Sequence, residues 1–281
     1  MFNSWLPITK IKILGAKVLY KITTLFVGKE KRIIERDGVK YEVELAEGIE
    51  LSLFLFHKFQ SHITKNSNLK IEKDYTILDI GANVGLMTLQ FSKLASEGRV
   101  ISFEPTFYAL ERLKRNLALN PEMTKNVTVI NSFVSEKSSD NPNIIAYSSW
   151  KVNGEREAND HPVHWGTPKS TEGVKSISLN DFVANQKLEK IDFIKIDTDG
   201  HEYEVFKGAD VAIGKFRPKI IFEIGLFLME EKKINFEFYF NYFKALNYKL
   251  FDAKTNKEVN LSNYKKYIPQ NGSTDLIAVP Q

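Results

Sequence analysis

Cysteine is absent from this chain of 281 residues. The absence excludes disulfide frameworks, thiolate nucleophiles and cysteine-ligated zinc, and we expect an intracellular, cytoplasmic protein. Long apolar runs are missing as well, because lysines interrupt the N-terminal segment before it reaches the ~18 uncharged residues of a membrane-spanning helix. The Gly-Lys-Ser/Thr ending of a P-loop occurs nowhere, so a triphosphate-binding loop of that type is excluded.

Acidic residues are scarce near the N-terminus. Residues 1–40 contain nine basic and three acidic residues and have a formal charge of +6, whereas the rest of the chain has a formal charge of −2. This distribution does not describe a protein that binds nucleic acid over its whole surface, and we expect no nucleic-acid partner. The charge therefore sets the N-terminal segment apart from a nearly neutral body.

Residues 1–31 predict a basic amphipathic helix. At the period of an α-helix, Lys10, Lys17 and Lys21 cluster opposite an apolar row within residues 1–28. We expect this row to pack on the body or, as a dimer contact, on a second copy; the alternative is peripheral contact with an anionic membrane surface. The row consists of Ile8, Ile11, Leu14, Val18, Ile22, Leu25 and Phe26.

The rest of the chain divides into two regions. Residues 32–74 predict a β-hairpin around Asp37-Gly38 and a helix, which form a layer ahead of the main domain. In residues 75–281, short β-branched runs alternate with helical patterns, which predicts a doubly wound α/β sheet. The predicted strands are 76–79, 100–103, 127–133, 193–196, 219–224, 248–251 and 276–279, and the predicted helices are 85–95, 107–119, 179–184, 202–207 and 235–246.

A polar segment, residues 138–173, interrupts this alternation between the third and fourth strands. It contains Trp150, His161, His164 and Trp165. Ligands of open α/β sheets bind outside the carboxyl ends of the strands, and loops there usually determine specificity. We therefore expect this insertion to cover a binding pocket.

A glycine-punctuated turn follows the first strand of the main domain. Its sequence, Asp79-Ile80-Gly81-Ala82-Asn83-Val84-Gly85, lacks the glycines at 83 and 86 that a dinucleotide fingerprint needs. The second strand ends in Glu104, a carboxylate placed to accept ribose hydroxyls. An adenosine-type ligand without a phosphate chain fits both features, and S-adenosylmethionine is the common cofactor of that kind. The predicted cofactor-binding residues are Asp79, Gly81, Asn83, Gly85, Glu104, Ser132 and Phe133.

The sequence resembles the FkbM family of S-adenosylmethionine-dependent methyltransferases over roughly residues 32–280. The resemblance lies in the glycine turn, Phe103-Glu104-Pro105, the Asn116 and Asn120 pair, residues 191–202 and residues 218–223. It implies a class I methyltransferase fold, Rossmann-like with a seven-stranded sheet, and O-methylation of sugars or polyketide-type hydroxyls. At position 199 this chain has aspartate where the family usually has glutamate, which leaves the role of that position open.

Methylation of a hydroxyl requires a base, a metal or close positioning, because an alcohol holds its proton far above neutral pH. Asp197 ends the fourth strand, and Asp199 and His201 follow in the adjoining turn. We expect these three residues to be catalytic, with His201 the favoured base and Asp199 the alternative. Asp197 and Glu223 are the candidate ligands of a divalent cation such as Mg²⁺ or Ca²⁺.

The sequence therefore predicts an O-methyltransferase that acts on a hydroxyl of a sugar or glycan during cell-surface polysaccharide or glycolipid assembly. One alternative is a methyltransferase of small-molecule or polyketide-type hydroxyls. The other is a non-catalytic domain that docks on a membrane or partner through the basic helix. An open, polar groove formed by the insertion favours a glycan acceptor, and a closed apolar pocket favours a small molecule.

Overall fold

The computed structural model describes residues 8–28, 31–57, 59–142, 144–148, 151–154, 159 and 166–281, with side chains from Leu14 onward. Its α-helices are α1 (Ile8–Val27), α2 (Gly48–Phe56), α3 (Ser61–Thr64), α4 (Leu86–Leu94), α5 (Phe107–Ala118), α6 (Leu179–Gln186), α7 (Glu202–Lys207), α8 (Asp210–Phe216), α9 (Leu226–Glu231) and α10 (Phe236–Ala245). Short 3₁₀ helices cover Ser67–Leu69, Met123–Asn126 and Tyr264–Lys266. The strands are β1 (Arg32–Arg36), β2 (Val39–Val43), β3 (Thr76–Ile80), β4 (Arg99–Phe103), β5 (Val127–Ile130), β6 (Phe133–Val134), β7 (Ala146–Ser148), β8 (Thr167–Lys169), β9 (Ser176–Ile177), β10 (Phe193–Ile196), β11 (Lys219–Ile224), β12 (Tyr248–Asp252), β13 (Glu258–Val259) and β14 (Thr274–Pro280).

One large sheet organises the chain in the order β13-β12-β14-β11-β10-β3-β4-β5. The pairs from β11 through β10, β3 and β4 to β5 are parallel, whereas β14 runs antiparallel between β11 and β12. This is the doubly wound α/β arrangement expected of a class I methyltransferase. The sheet has eight strands rather than the expected seven, because the short strand β13 pairs with the outer edge of β12.

Alternate residues of the central strands face opposite sides of the sheet, and both sides are buried. Leu78, Ile194 and Phe222 belong to a core that includes residues of α6, α7, α8 and α10. Ile77 and Phe193 belong to a second core on the other side with Phe91 of α4. Burial on both faces is the reason these strands appear in the sequence as short, continuous apolar runs.

The aromatic residues of α10 belong to the first core. Phe243 and Tyr239 stack on Phe222 of β11 at ring-centroid distances of 5.4 and 5.8 Å. Phe206 of α7 meets Phe243 edge-on at 5.1 Å. The helical spacing of these aromatics therefore marks a packing face.

The predicted hairpin is confirmed as the antiparallel pair β1–β2. Two asparagines, Asn116 of α5 and Asn120 just after that helix, join it to the main domain: Asn116 Oδ1 accepts the Glu42 backbone N–H at 2.7 Å, and Asn120 Oδ1 accepts that of Lys40 at 2.9 Å. Asn116 Nδ2 also donates to the carbonyl oxygen of Val84, in the glycine turn, at 2.8 Å. These contacts explain why two asparagines are buried here: each satisfies backbone groups that no strand pairs.

Helix α1 contradicts the expectation that its apolar row packs on the body. Its inner side consists of Ala16, Lys17, Tyr20, Thr23 and Thr24, and Tyr20 is 6% exposed. The apolar row lies on the opposite, outer side: Leu14, Val18, Ile22, Leu25 and Phe26 are 66%, 49%, 50%, 82% and 84% exposed. No helix among the described residues is long and apolar enough to cross a membrane.

The predicted third strand is two separate strands in the structure. β5 ends at Ile130, and β6 pairs with β9 outside the large sheet. In the insertion, β7 and β8 form a two-stranded ribbon, and the backbone N–H of Val152 donates to Ala46 of the N-terminal layer at 2.8 Å. Trp150, His161, His164 and Trp165 lie outside the described residues.

Candidate active site

A cleft of about 1130 Å³, its open mouth included, lies at the carboxyl ends of β3, β4 and β10. Its turn side is formed by residues of the Gly81–Gly85 turn and by Glu104. Its insertion side is formed by Asp199, His201, Ile144, Ala146 and Tyr147. The site therefore lies where the strand topology predicts it, between the glycine turn and a long insertion.

The glycine turn needs backbone conformations that most residues avoid. Gly81, Asn83 and Gly85 all have positive φ angles, of 78°, 52° and 86°. A Cβ atom at Gly81 would lie 1.8 Å from the carbonyl oxygen of Asp197, so no side chain fits between β3 and the end of β10. The glycine therefore permits the close approach of these two backbone segments.

Glu104 connects the turn to the end of β4. Its Oε2 accepts the backbone N–H of Asn83 at 2.9 Å, and its Oε1 accepts the backbone N–H and the hydroxyl of Thr106 at 2.8 and 2.6 Å. Burial raises the pKa of Glu104, and the Thr106 and Asn83 hydrogen bonds act in the opposite direction. A carboxylate offers about four acceptor positions, so one remains for a ligand hydroxyl after these three bonds.

Two predicted cofactor-binding residues support the turn from below and do not line the cleft. Asp79 is fully buried and accepts the hydroxyl proton of Thr88 at 2.6 Å. Gly85 begins α4 against α5, where an added Cβ would lie 3.1 Å from Leu113 Cγ. Both residues position the backbone of the turn.

The other predicted cofactor residues do line the cleft: Gly81, Asn83, Glu104, Ser132 and Phe133. The Ser132 hydroxyl lies 2.9 Å from two carbonyl oxygens, that of the next residue, Phe133, and that of Lys175, which directly precedes β9, and shares its one proton between them. Phe133 continues into the pair β6–β9. The break after β5 therefore turns this segment toward the cleft.

Lys195 of β10 belongs to the site, although the sequence patterns did not indicate it. Its side chain is buried, and its Nζ lies 3.3 Å from Asp79 Oδ1, 3.4 Å from Asp197 Oδ2 and 3.1 Å from the carbonyl oxygen of Gly81. Burial alone lowers the pKa of Lys195, but the charges of Asp197 and Asp79 outweigh it and raise that pKa. The sequence did contain a signal for this role: a lysine inside an otherwise apolar strand is expected to be buried, and a buried charge needs partners of opposite charge.

The turn after β10 is held by Glu202, the first residue of α7. Glu202 Oε1 accepts the backbone N–H and the hydroxyl of Thr198, at 2.8 and 2.9 Å. Asp199 has a φ angle of 52°, and its carboxyl group has no hydrogen-bond partner among the described residues. Burial, followed by the charge of Asp197, raises the pKa of Asp199 well above its usual range. Asp199 thus faces the cleft with a high proton affinity.

His201 is engaged on both ring nitrogens. Nε2 lies 3.1 Å from the carbonyl oxygen of Ile145 in the insertion, and Nδ1 lies 3.3 Å from Lys232 Nζ. These partners assign the neutral tautomer in which Nε2 donates and Nδ1 accepts. Burial, and then the Lys232 charge, lowers the pKa of His201. In this arrangement His201 ties the insertion to the turn, and neither nitrogen is free to take a proton.

The structure does not support the predicted divalent-cation site at Asp197 and Glu223. Asp197 pairs with Lys195, and Glu223 accepts a hydrogen bond from the Ser273 hydroxyl. Burial, with the charges of Asp197 and Asp199, raises the pKa of Glu223 well above its usual range. Throughout the described part of the chain, no three His, Asp or Glu side chains are grouped to hold a metal ion. The carboxylates are near each other, but Asp197 is paired with Lys195, and Glu223 is hydrogen-bonded to Ser273.

A family model, the Methyltransferase FkbM domain, matches residues 79–250, which is more than half of the chain. Two similar curated proteins are methyltransferase sdnD of Sordaria araneosa, 26% identical over 202 residues, and hexuronic acid methyltransferase AglP of Haloferax volcanii, 31% identical over 145 residues. The first match covers 63% of this chain and 75% of sdnD; the second covers 50% of this chain and 53% of AglP.

Solved structures with a similar backbone include methyltransferase FkbM from Methylobacillus flagellatus KT. That similarity has a TM-score of 0.49 and 16% sequence identity and covers 95% of this chain and 58% of that chain. Another is P. horikoshii TYW2 in complex with MeSAdo. That similarity has a TM-score of 0.45 and 14% sequence identity and covers 95% of this chain and 84% of that chain.

Proposed function

This chain belongs to the FkbM methyltransferase family, and we propose that it transfers a methyl group from S-adenosylmethionine to a hydroxyl of a sugar or glycan. One observation carries the proposal: Asp199, with its high proton affinity, lines the same cleft as the Gly81–Gly85 turn. The two sides of the cleft thereby bring a cofactor-binding turn and a proton acceptor together. We place the reaction in the assembly of cell-surface polysaccharide or glycolipid.

Residues on the turn side fit S-adenosylmethionine. Glu104 retains an acceptor position for a ribose hydroxyl, and Gly81, Ala82 and Asn83 of the turn line the cleft beside it. Phe133 and Val134 supply an apolar wall for a purine base. When bound, the cofactor supplies an electrophilic methyl group on a sulfonium sulfur.

On the insertion side, Asp199 is assigned as the proton acceptor. As the acceptor oxygen bonds to the methyl carbon, the bond from that carbon to sulfur breaks, and the hydroxyl proton passes to the Asp199 carboxylate. General-base catalysis works best when the pKa of the base lies near the working pH, and burial moves Asp199 in that direction. Asp197, held by Lys195, adds negative charge that favours this proton transfer.

The charge of the site favours a neutral hydroxyl over a carboxylate as acceptor. The charges of Asp197, Glu202 and Glu104 all contribute to the raised pKa of Asp199, so these acidic groups act on one region. An anionic acceptor would be repelled there, whereas carboxylates accept hydrogen bonds from hydroxyls. This argument supports transfer to oxygen of an alcohol.

The sugar part of the proposal is supported by AglP, whose name describes it as a hexuronic acid methyltransferase. A hexuronic acid carries both hydroxyls and a carboxylate, so this similarity alone leaves the acceptor atom open. Alkali distinguishes the products, because a methyl ester hydrolyses and a methyl ether does not. The charge argument predicts the ether.

A small-molecule acceptor is the second candidate. The described part of the insertion contributes Ile144 and Ala146 to the cleft wall, beside Tyr147, and these apolar side chains suit an aromatic or polyketide-type alcohol. A non-catalytic docking domain is the third possibility from the sequence. The raised proton affinity of Asp199 beside the turn favours catalysis over that reading.

The test is transfer of labelled methyl from S-adenosylmethionine to a panel of neutral sugars, hexuronic acids, oligosaccharides and apolar phenols. We expect alkali-stable label on a sugar or oligosaccharide. Alkali-labile label on hexuronic acids would replace the hydroxyl with a carboxylate as acceptor, and label on phenols alone would favour the small-molecule alternative. Cofactor binding without any transfer across the panel would contradict the proposal.

A further inference from the structure

Helix α1 packs on the protein through its polar side and exposes its apolar side. Its inner side, which contacts the N-terminal layer, is made of small or polar residues around the single buried Tyr20. Its outer side, here called the apolar strip, consists of Leu14, Val18, Ile22, Leu25 and Phe26, all of them exposed. A surface helix ordinarily buries its apolar face against the core. The strip is therefore available to something outside the described residues.

The helix is fixed with this strip outward by polar contacts at both ends of its inner side. Lys17 Nζ donates to the carbonyl oxygen of Gly154 in the insertion at 3.2 Å. At the C-terminal end, Arg32 of β1 donates to the carbonyl oxygens of Val27 and Gly28, at 2.6 and 3.3 Å. Ile33, next to Arg32, is 60% exposed. Rotating the helix to bury the strip would break these contacts.

Charge decides between the possible occupants of the strip. Residues 1–28 contain four lysines and no acidic residue, and residues 1–40 have a formal charge of +6. A second copy seated on the strip would place one cationic segment against another, which like-charge repulsion disfavours. An anionic surface meets both requirements, since it attracts the exposed Lys21 and the positively charged segment as a whole and takes up the apolar side chains.

We propose that α1 docks the protein on the surface of a bilayer that contains anionic lipids, with the apolar strip inserted at the boundary between headgroups and acyl chains. The helix lies in the plane of the interface and does not cross it. Lys21, expected opposite the apolar row, is exposed one helical turn from Val18 and Leu25 and so remains at the headgroup level, where its charge meets lipid phosphate. This inference does not depend on the proposed reaction, because none of these residues lines the cleft.

The test is flotation of the full chain with vesicles of phosphatidylcholine alone and with an equal mixture of phosphatidylcholine and phosphatidylglycerol, at low and high salt. We expect binding to the mixed vesicles, weakening with salt, and little binding to phosphatidylcholine. The variant Ile22→Ser/Leu25→Ser/Phe26→Ser should bind the mixed vesicles about tenfold more weakly than the wild type. The matched control is Val211→Ser/Leu261→Ser, since these exposed apolar residues, 66% and 44%, lie outside the strip.

Thermal unfolding and cofactor affinity should be equal in both variants and the wild type, because the altered side chains are exposed. Sedimentation velocity without vesicles should give the same species for all three proteins. Failure of the wild type to bind the mixed vesicles would overturn the proposal, as would equal binding by the triple variant. A dimer that the triple variant alone converts to monomer would identify a second copy as the occupant instead.

Discussion

The two sides of the cleft are built in different ways. The turn side is fixed by hydrogen bonds between backbone groups and one carboxylate, from Glu104 to Asn83 and Thr106. The insertion side is fixed by ionisable side chains from distant parts of the chain: His201 contacts Ile145, 56 residues away, and Lys232, 31 residues away. We infer that the turn side determines cofactor affinity and the insertion side determines the rate and its dependence on pH.

Lys195 connects these two sides. It contacts Asp79 and the Gly81 carbonyl oxygen beneath the turn and also Asp197 at the end of β10. A lysine within one strand thereby fixes the spacing of the Gly81–Gly85 turn and the Asp197 carboxylate. The separation of roles between the sides depends on this buried contact, so the following variants test it from the largest expected effect to the smallest.

The largest effect is expected from Asp199→Asn. Removing a general base typically lowers the rate by about 10²–10⁴-fold. We expect such a fall in kcat with unchanged affinity for S-adenosylmethionine, because Asp199 lies on the insertion side. The control, Asp140→Asn, alters an exposed carboxylate of the insertion that pairs with Lys175. If Asp199→Asn kept its rate but bound S-adenosylmethionine weakly, the two sides of the cleft would not have the separate roles inferred above.

Lys195→Met should destabilise the fold. It leaves the carboxylates of Asp79 and Asp197 without their cationic partner, and removing one partner of a buried pair costs about 3–5 kcal/mol. Urea denaturation measures the change in free energy of unfolding. As the control, Lys190→Met breaks the exposed contact with Asp74, 2.8 Å, and should shift the midpoint little. Equal shifts for the two variants would refute the bridging role of Lys195.

Glu104→Ala should weaken binding of S-adenosylmethionine by at least tenfold, or about 1.4 kcal/mol, measured by calorimetry. The variant loses a ligand acceptor and the bond that holds the Asn83 backbone. Glu111→Ala, an exposed glutamate on α5, is the matched control. Unchanged affinity in Glu104→Ala would mean that the turn side is not the cofactor side.

The smallest effect is expected from His201→Gln, because His201 positions the insertion and does not take the proton. We expect less than about a tenfold loss in kcat, a raised KM for the acceptor, and an unchanged pH profile of kcat. Burial and the Lys232 charge lower the pKa of His201. The imidazole is therefore already neutral at the usual pKa of histidine, and its charge does not change as the pH rises further. Disappearance of the pH dependence in this variant would restore His201 as the base.

The sequence predicted most of the turn side because its signals are local. The turn and Glu104 follow consecutive strands, and the strand order brings them together. Asp79 and Gly85 were predicted as ligand contacts but support the turn, since a spacing pattern does not separate the cleft-facing layer from the layer beneath it. Spacing did not indicate the role of Lys195, because its partner Asp79 lies on the neighbouring strand, far away in the sequence.

The insertion side and α1 could be predicted only in part. The motif around Asp197 indicated the carboxylates, but the contacts of His201 with Ile145 and Lys232 depend on tertiary packing that no spacing records. Periodicity identified an amphipathic helix in the first residues, yet it gave the wrong side as the packed one. The inner side is determined by Tyr20 and Lys17, which contact the body, and by Arg32 of β1, which donates to the carbonyl oxygen of Val27 at the end of the helix.

The most direct test of this account is the pH dependence of single-turnover methyl transfer with cofactor bound in advance. Burial raises the pKa of Asp199, so the carboxylate that accepts the proton forms only as the pH rises through that raised value. We predict that the rate increases with pH along one titration centred above the usual range of aspartate, and that Asp199→Asn abolishes this increase. A rate independent of pH with a hydroxyl acceptor, or the same titration in Asp199→Asn, would contradict the account.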